Sequence, residues 1–137
     1  MESPAKRQRN HEIYILRKAG MTYVDLAYLY DVSIERIRQI CVRESEHEKF
    51  DSYDILYEAI KKAVKELNMS EYMANRVIKT LIQRGIAAQI YDGRAISSFS
   101  DKYLLKQKGI WKKSLAVIRE AERWYEDGKR TREVLSS

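Results

Sequence analysis

Apolar residues recur every three or four positions along most of this chain, the spacing that places side chains on one face of an α-helix. No segment alternates apolar and polar residues convincingly, as a half-buried strand would. The pattern therefore predicts an all-α protein. Its helices are expected to begin after polar residues that cap a helix N-terminus and to end near glycines; the capping residues are Thr22, Ser33, Ser70 and Ser100.

The segment that follows Gly20 is the most informative, because it predicts two short helices joined by a tight turn. Thr22 is the expected N-cap of the first helix and Ser33 that of the second. In the second helix Ile37 and Ile40 point to one side, and the other side presents Glu35, Arg38, Gln39 and Val42. This is the layout of a helix-turn-helix, whose second helix enters the major groove of DNA.

The stretch Val32-Ser-Ile-Glu-Arg-Ile-Arg-Gln-Ile40 resembles the promoter-binding C-terminal region of bacterial sigma factors. In that family the helix that reads the minus-35 element typically contains Val-Thr-Arg-Glu-Arg-Ile-Arg-Gln-Ile. The resemblance covers residues 12–43. Ile34 replaces a DNA-facing arginine, so the family's base preference is not carried over. Asp31 replaces the turn glycine, and because Asp tolerates left-handed backbone better than most residues, the turn is expected to survive.

The resemblance implies that this second helix contacts double-stranded DNA. Gln39 would pair with an adenine edge, Glu35 would accept a hydrogen bond from a cytosine amino group, and Arg38 would reach guanine or phosphate. Arg36 and Arg43 would hold the DNA backbone. The candidate DNA-binding residues of this helix are Ser33, Ile34, Glu35, Arg36, Arg38, Gln39 and Arg43.

The C-terminal part of the chain predicts five more helices. The first carries an apolar stripe that would serve either the core of this part or a dimer interface. The intrachain role is favoured, because a small domain needs its apolar faces. The helices are expected from residue 51 or 52 to 67, from 70 to 84, from 86 to a turn at Asp92-Gly93, from 100 to 105, and from 111 to a stop at Gly128.

A second resemblance lies in this part. Leu104-Leu-Lys-Gln-Lys-Gly-Ile-Trp-Lys-Lys-Ser-Leu115, followed by Ile118-Arg-Glu-Ala121, resembles the helix-hairpin-helix in the C-terminal domain of the RNA polymerase alpha subunit, and residues 67–76 resemble an earlier helix of that domain. The resemblance implies contacts of Asn75, Lys113 and Ser114 with the DNA minor groove and its backbone. A hairpin turn at a helix N-terminus presents N–H groups to phosphate, and Lys112 adds a donor there.

This second resemblance also has departures, which leave two interpretations of the hairpin open. Tyr72 takes the place of the family's minor-groove arginine, for which the neighbouring Arg76 is a candidate substitute. Trp111 replaces the glycine that lets phosphate approach, and Val117 replaces a carboxylate. The hairpin therefore either binds DNA or is kept for packing or protein contact.

Composition divides the chain in the same way as the motifs. Residues 1–50 carry nine basic and eight acidic side chains, and residues 51–137 carry seventeen and twelve, so most of the positive charge lies in the second part. That balance suits a polyanionic partner, and a solvated lysine-rich surface explains it equally well. The predicted organisation is a basic N-terminal arm or disordered tail (1–10), a sigma-like helix-turn-helix (11–44), a charged connector (45–50), a helical domain (51–128) and a frayed tail (129–137).

Other chemistry finds little support in the sequence. One cysteine, Cys41, excludes an internal disulfide and favours a reducing cytoplasm. Two histidines and that cysteine give no metal spacing, no cofactor motif occurs, and an enzyme is not expected. No apolar run reaches the length of a membrane span.

These observations predict a promoter-binding regulator or an RNA polymerase accessory factor, with a phage or mobile element as a candidate source. Double-stranded DNA is the expected partner, RNA polymerase a second candidate, and a homodimer a third possibility. The competing class is a protein-interaction module that docks on polymerase or on a sigma-like or anti-sigma-like partner without reading DNA. An accessory component of a nucleic-acid-processing enzyme is a weaker alternative.

Overall fold

The computed structural model describes residues 3–46 and 52–136, and within these ranges every regular element is helical. The predicted all-α class is therefore confirmed. The chain divides into two compact units, Met1–Lys49 and Phe50–Ser137. Most of the predicted connector, residues 47–50, lies outside the described residues, and Ser45 is still the last residue of a helix.

Three helices form the first unit: α1 (Pro4–Lys18), α2 (Tyr23–Tyr30) and α3 (Ile34–Ser45). Helix α1 packs against both of the others. The core of the unit comes from all three helices, and its central side chains are at most 1% exposed: Ile13, Ile15, Leu16, Leu26, Ile37 and Ile40. Burial of side chains of this size stabilises a fold by about 1.5–3 kcal/mol each.

The prediction of an N-terminal arm is wrong for residues 4–10, which form the first two turns of α1. Ser3 caps the helix by accepting a hydrogen bond from the Lys6 backbone N–H at 3.2 Å, and Pro4 occupies the first helical position, where its missing N–H costs nothing. Asn10 is buried and its Oδ1 accepts from the Arg9 guanidinium. The capping signal of Ser3 and Pro4 was missed because the polar, basic composition of residues 1–10 favoured an arm or a disordered tail.

The second unit contains α4 (Ser52–Glu66), α5 (Glu71–Gln83), α6 (Ile86–Tyr91), a 3-10 turn (Ile96–Ser98), α7 (Asp101–Lys106) and α8 (Lys112–Ser136). The apolar stripe of α4 is buried within this unit, mainly against α8. The structure therefore shows the intrachain role for that stripe. Ser100 caps α7 as predicted, accepting from the Tyr103 N–H at 3.0 Å.

The last helix does not stop at Gly128, as predicted, but continues through it to Ser136, so the segment predicted as a frayed tail is helical. The glycine serves another purpose. A Cβ at position 128 would lie 2.6 Å from the Ile55 Cγ2, a distance that real side chains do not show. Gly128 is therefore a point of close approach between α4 and α8, and the residue that looked like a terminator is a packing residue.

Candidate nucleic-acid interface

Capping side chains and one left-handed residue fix the connection between α2 and α3. Thr22 accepts from the Asp25 N–H at 3.0 Å and Ser33 accepts from the Arg36 N–H at 3.0 Å, so both predicted N-caps are confirmed. Asp31 adopts φ 54° and ψ 50°, and the next N–H, of Val32, donates to the Ala27 carbonyl at 3.1 Å. The turn therefore survives the replacement of glycine by aspartate.

Helix α3 has one buried face and one exposed face. Ile37, Ile40, Cys41 and Glu44 face the core of the first unit. The opposite face is open to solvent along the whole helix, and a shallow surface depression there is lined by Glu35, Arg38, Gln39, Val42, Arg43 and Glu46. Every candidate of this helix, from Ser33 and Ile34 through Arg36 to Arg43, is exposed. Four of the seven candidates, Glu35, Arg38, Gln39 and Arg43, thus line one surface, and the other three are exposed outside that depression.

Arg38 has two close neighbours on this surface. Its Nη1 lies 2.9 Å from Glu35 Oε2, and both side chains are more than half exposed. Such a surface pair contributes only about 0–1 kcal/mol, so breaking it to free the Arg38 guanidinium costs little. The Arg38 guanidinium also lies 5.7 Å from the centre of the Tyr23 ring.

Tyr23 was not among the sequence-predicted site residues. Its ring also lies under the Arg17 guanidinium, 4.4 Å from the ring centre, and Arg17 Nη1 donates to the Met21 carbonyl at 2.9 Å. Tyr23 therefore links α1 and α2 to the exposed face of α3. The sequence carried no signal for this role, because residues 17, 23 and 38 meet only in the folded unit.

Two polar contacts connect α1 with the other two helices of the first unit. Tyr30 donates to Glu12 Oε1 at 2.9 Å, which ties the end of α2 to α1, and burial together with that carboxylate raises the pKa of Tyr30. His11 Nε2 lies 3.9 Å from the buried Glu44 Oε2. Burial also raises the pKa of the Cys41 thiol.

The candidate residues of the second unit separate into two groups. Arg76, Lys112 and Lys113 are exposed. Asn75 is half-buried, and its Oδ1 accepts from the Tyr57 hydroxyl, so it joins α5 to α4. Ser114 is 3% exposed, and its side chain is not available to a phosphate. Ser114 therefore leaves the candidate site, because the turn of α8 that carries it faces the core.

Arg119 fixes the hairpin formed by α7 and α8. Its guanidinium donates to the carbonyls of Phe99 and Ile96 and to the carboxylates of Asp101 and Glu122. Burial lowers its pKa, but the bonds to Glu122 and Asp101 more than offset this, so the net shift of the Arg119 pKa is upward. The charge of Arg119 is thus used inside the unit.

Residues 3–46 and 52–136 hold no group of three or more His, Cys, Asp or Glu side chains placed to bind a metal ion. Among the helices of these two ranges, none combines the length and the apolar character needed to cross a membrane.

Comparison with protein-family models, with curated proteins and with solved structures finds no match to this chain, so the sigma-like and alpha-like resemblances rest on the quoted motifs alone.

Proposed function

We propose that this chain is a DNA-binding transcription regulator or RNA polymerase accessory factor that reads the major groove with α3. One observation carries the proposal: the Glu35, Arg38 and Gln39 side chains stand exposed on one face of a helix whose other face anchors it in the core. A helix presented in this way has the width and the free polar edge that major-groove readout requires.

The exposed side chains supply both donors and acceptors. Gln39 matches the paired donor and acceptor of an adenine edge, Glu35 matches a cytosine amino group, and Arg38 matches guanine or phosphate. Arg36 and Arg43 flank them as backbone contacts, since phosphate contacts fix the register of a helix in the groove. A helix of this length reads few base pairs, so useful specificity requires the second unit, a second copy or polymerase as well.

The proposal is tested by selecting bound sequences from random duplex DNA and then titrating the selected duplex, at a stated salt concentration, with variants of the full chain. Arg38→Ala and Gln39→Ala are each expected to weaken binding about tenfold, because a good base contact contributes about 1–3 kcal/mol of discrimination. Arg130→Ala is the matched control: it removes an exposed arginine whose ion pair with Asp127, also at 2.9 Å, lies in the second unit.

Unchanged affinity of the Arg38→Ala, Gln39→Ala double variant for the selected duplex would remove the case for groove readout. An equal loss with Arg130→Ala would do the same, because it would reduce the effect to net charge.

A second candidate function, a protein-interaction module, is favoured by the exposed apolar residues of α2 and the start of α3. Tyr28 is 91% exposed, and Val24, Leu29 and Ile34 are also exposed large apolar side chains. Such residues, when grouped, mark protein contacts. Retention of RNA polymerase from a nuclease-treated lysate, abolished in Tyr28→Ala, would support this function over DNA binding.

A further inference from the structure

Two segments of the second unit contain no acidic residue. Residues 72–91 carry Arg76, Lys79 and Arg84, and residues 102–119 carry five lysines and Arg119. The twelve acidic side chains of residues 51–137 all lie outside these two segments. The positive charge of this unit is therefore concentrated in two stretches rather than spread evenly.

The fold brings these two stretches together. Arg84, directly after α5, donates through its Nε to the Lys108 carbonyl at 3.1 Å, and Gly109 approaches α5 so closely that a Cβ there would lie 3.1 Å from Thr80 Cγ2. Gly109 has φ 95°, a conformation that favours glycine. Arg76 lies four residues before Thr80, hence on the same face of α5 as the hairpin contact.

The side chains at this junction face solvent. We define the cationic face by its exposed members, which are Arg76, Arg84, Lys108, Trp111, Lys112 and Lys113. Arg119 is excluded, because Asp101 and Glu122 already neutralise it inside the unit.

Trp111 is the unusual member of the cationic face. Its indole is 67% exposed, whereas the neighbouring Ile110 is buried and the Trp111 carbonyl accepts from the Leu115 N–H at 2.8 Å. The backbone is therefore fixed while the ring projects outward. A solvent-exposed aromatic ring beside lysines is suited to a partner that offers a flat ring for stacking and negative charges for the lysines.

We propose that the cationic face binds unpaired nucleotides, with the Trp111 indole stacked on a base and the surrounding arginines and lysines on the phosphates. The positive charge suits any nucleic acid, but the exposed indole favours a single strand. In a duplex the flat faces of the bases are covered by the neighbouring base pairs, whereas in a single strand these faces are accessible for stacking. This proposal does not depend on groove readout by α3.

The test uses the full chain and a fluorescent oligothymidylate of about twelve nucleotides, within the usual length of single-strand sites. Trp111→Ala is expected to weaken binding about tenfold or more, and Trp111→Phe less, since base–aromatic stacking is retained. Tyr28→Ala is the matched control, because it removes an even more exposed aromatic ring from the first unit. It should bind normally.

A direct signal of stacking is available in a Trp124→Phe variant, whose one remaining indole is Trp111. Its fluorescence should be quenched when oligothymidylate binds. Lys112→Gln with Lys113→Gln should reduce the salt dependence of binding by about 0.7 in log–log slope for each phosphate that is no longer neutralised, with Lys6→Gln of the first unit as the control.

Competitors decide the ligand class. An oligouridylate that binds as well as oligothymidylate supports the proposal and adds RNA as a source of unpaired bases. In the Arg38→Ala, Gln39→Ala background, a duplex or a polyglutamate that displaces oligothymidylate as well as oligouridylate does, with no loss of binding in Trp111→Ala, would overturn it, as would an unquenched indole. The Arg38→Ala, Gln39→Ala variant should bind oligothymidylate normally, so failure of groove readout and failure of this proposal are distinguishable.

Discussion

The exposed face of α3 and the cationic face of the second unit differ in the chemistry they offer. On the exposed face of α3, the carboxylates of Glu35 and of the C-cap residue Glu46 flank two arginines and an amide, so donors and acceptors stand side by side. On the cationic face, every charged member is a cation and one member is an indole. A mixed face can distinguish base edges, whereas a uniformly basic one favours backbone and stacking contacts.

The largest expected effects come from substitutions that destabilise the core of one unit at a time. Leu26 in the first unit and Leu104 in the second are both fully buried, and Leu→Ala at either site should lower the free energy of unfolding by about 2–5 kcal/mol. Denaturant titration followed by circular dichroism measures this loss. Leu26→Ala should reduce duplex binding more than oligothymidylate binding, and Leu104→Ala the reverse.

The same pair of variants checks whether the two surfaces act separately. If either substitution lowers duplex binding and oligothymidylate binding to the same extent, the proposal that α3 and the cationic face bind different ligands fails, because one surface would then serve both.

A medium effect is expected from the close approach of α4 and α8. Gly128→Ala places a Cβ against Ile55 Cγ2 and should cost about 1–3 kcal/mol, the usual penalty for overpacking. In an Ile55→Ala background the clash is relieved, so the added cost of Gly128→Ala should fall. Additive costs in this double-mutant cycle would show that the contact is not the cause.

The smallest expected effect concerns the support of Arg38. Tyr23→Leu should weaken duplex binding by a few fold, because a cation–π contact at an exposed site is worth about 0.5–1 kcal/mol. Tyr23→Phe keeps the ring and should bind like the original chain. Equal losses in both variants would point to the hydroxyl instead.

The local capping chemistry was predictable from sequence, and the long-range contacts were not. Thr22, Ser33 and Ser100 act as expected, since a cap depends on residues three positions away. Ser70 occupies the predicted N-cap position of α5, but its side chain makes no capping hydrogen bond. The predicted helix end at Gly128 is wrong because a glycine that ends a helix and a glycine at a close approach of two helices look identical in the sequence. The prediction that Ser114 contacts DNA fails for a similar reason. Its neighbours Lys112 and Lys113 are exposed, and only the packing of α8 against the rest of the unit shows that residue 114 faces inward.

At Asp31, the backbone strain of the first unit can change without any change in the exposed side chains of α3. Aspartate and glycine codons differ by a single nucleotide, and glycine would adopt this conformation with less strain. One mutational step therefore relaxes the connection between α2 and α3 and leaves the exposed side chains of α3 unchanged. Selection can adjust the stability of this unit without altering that surface.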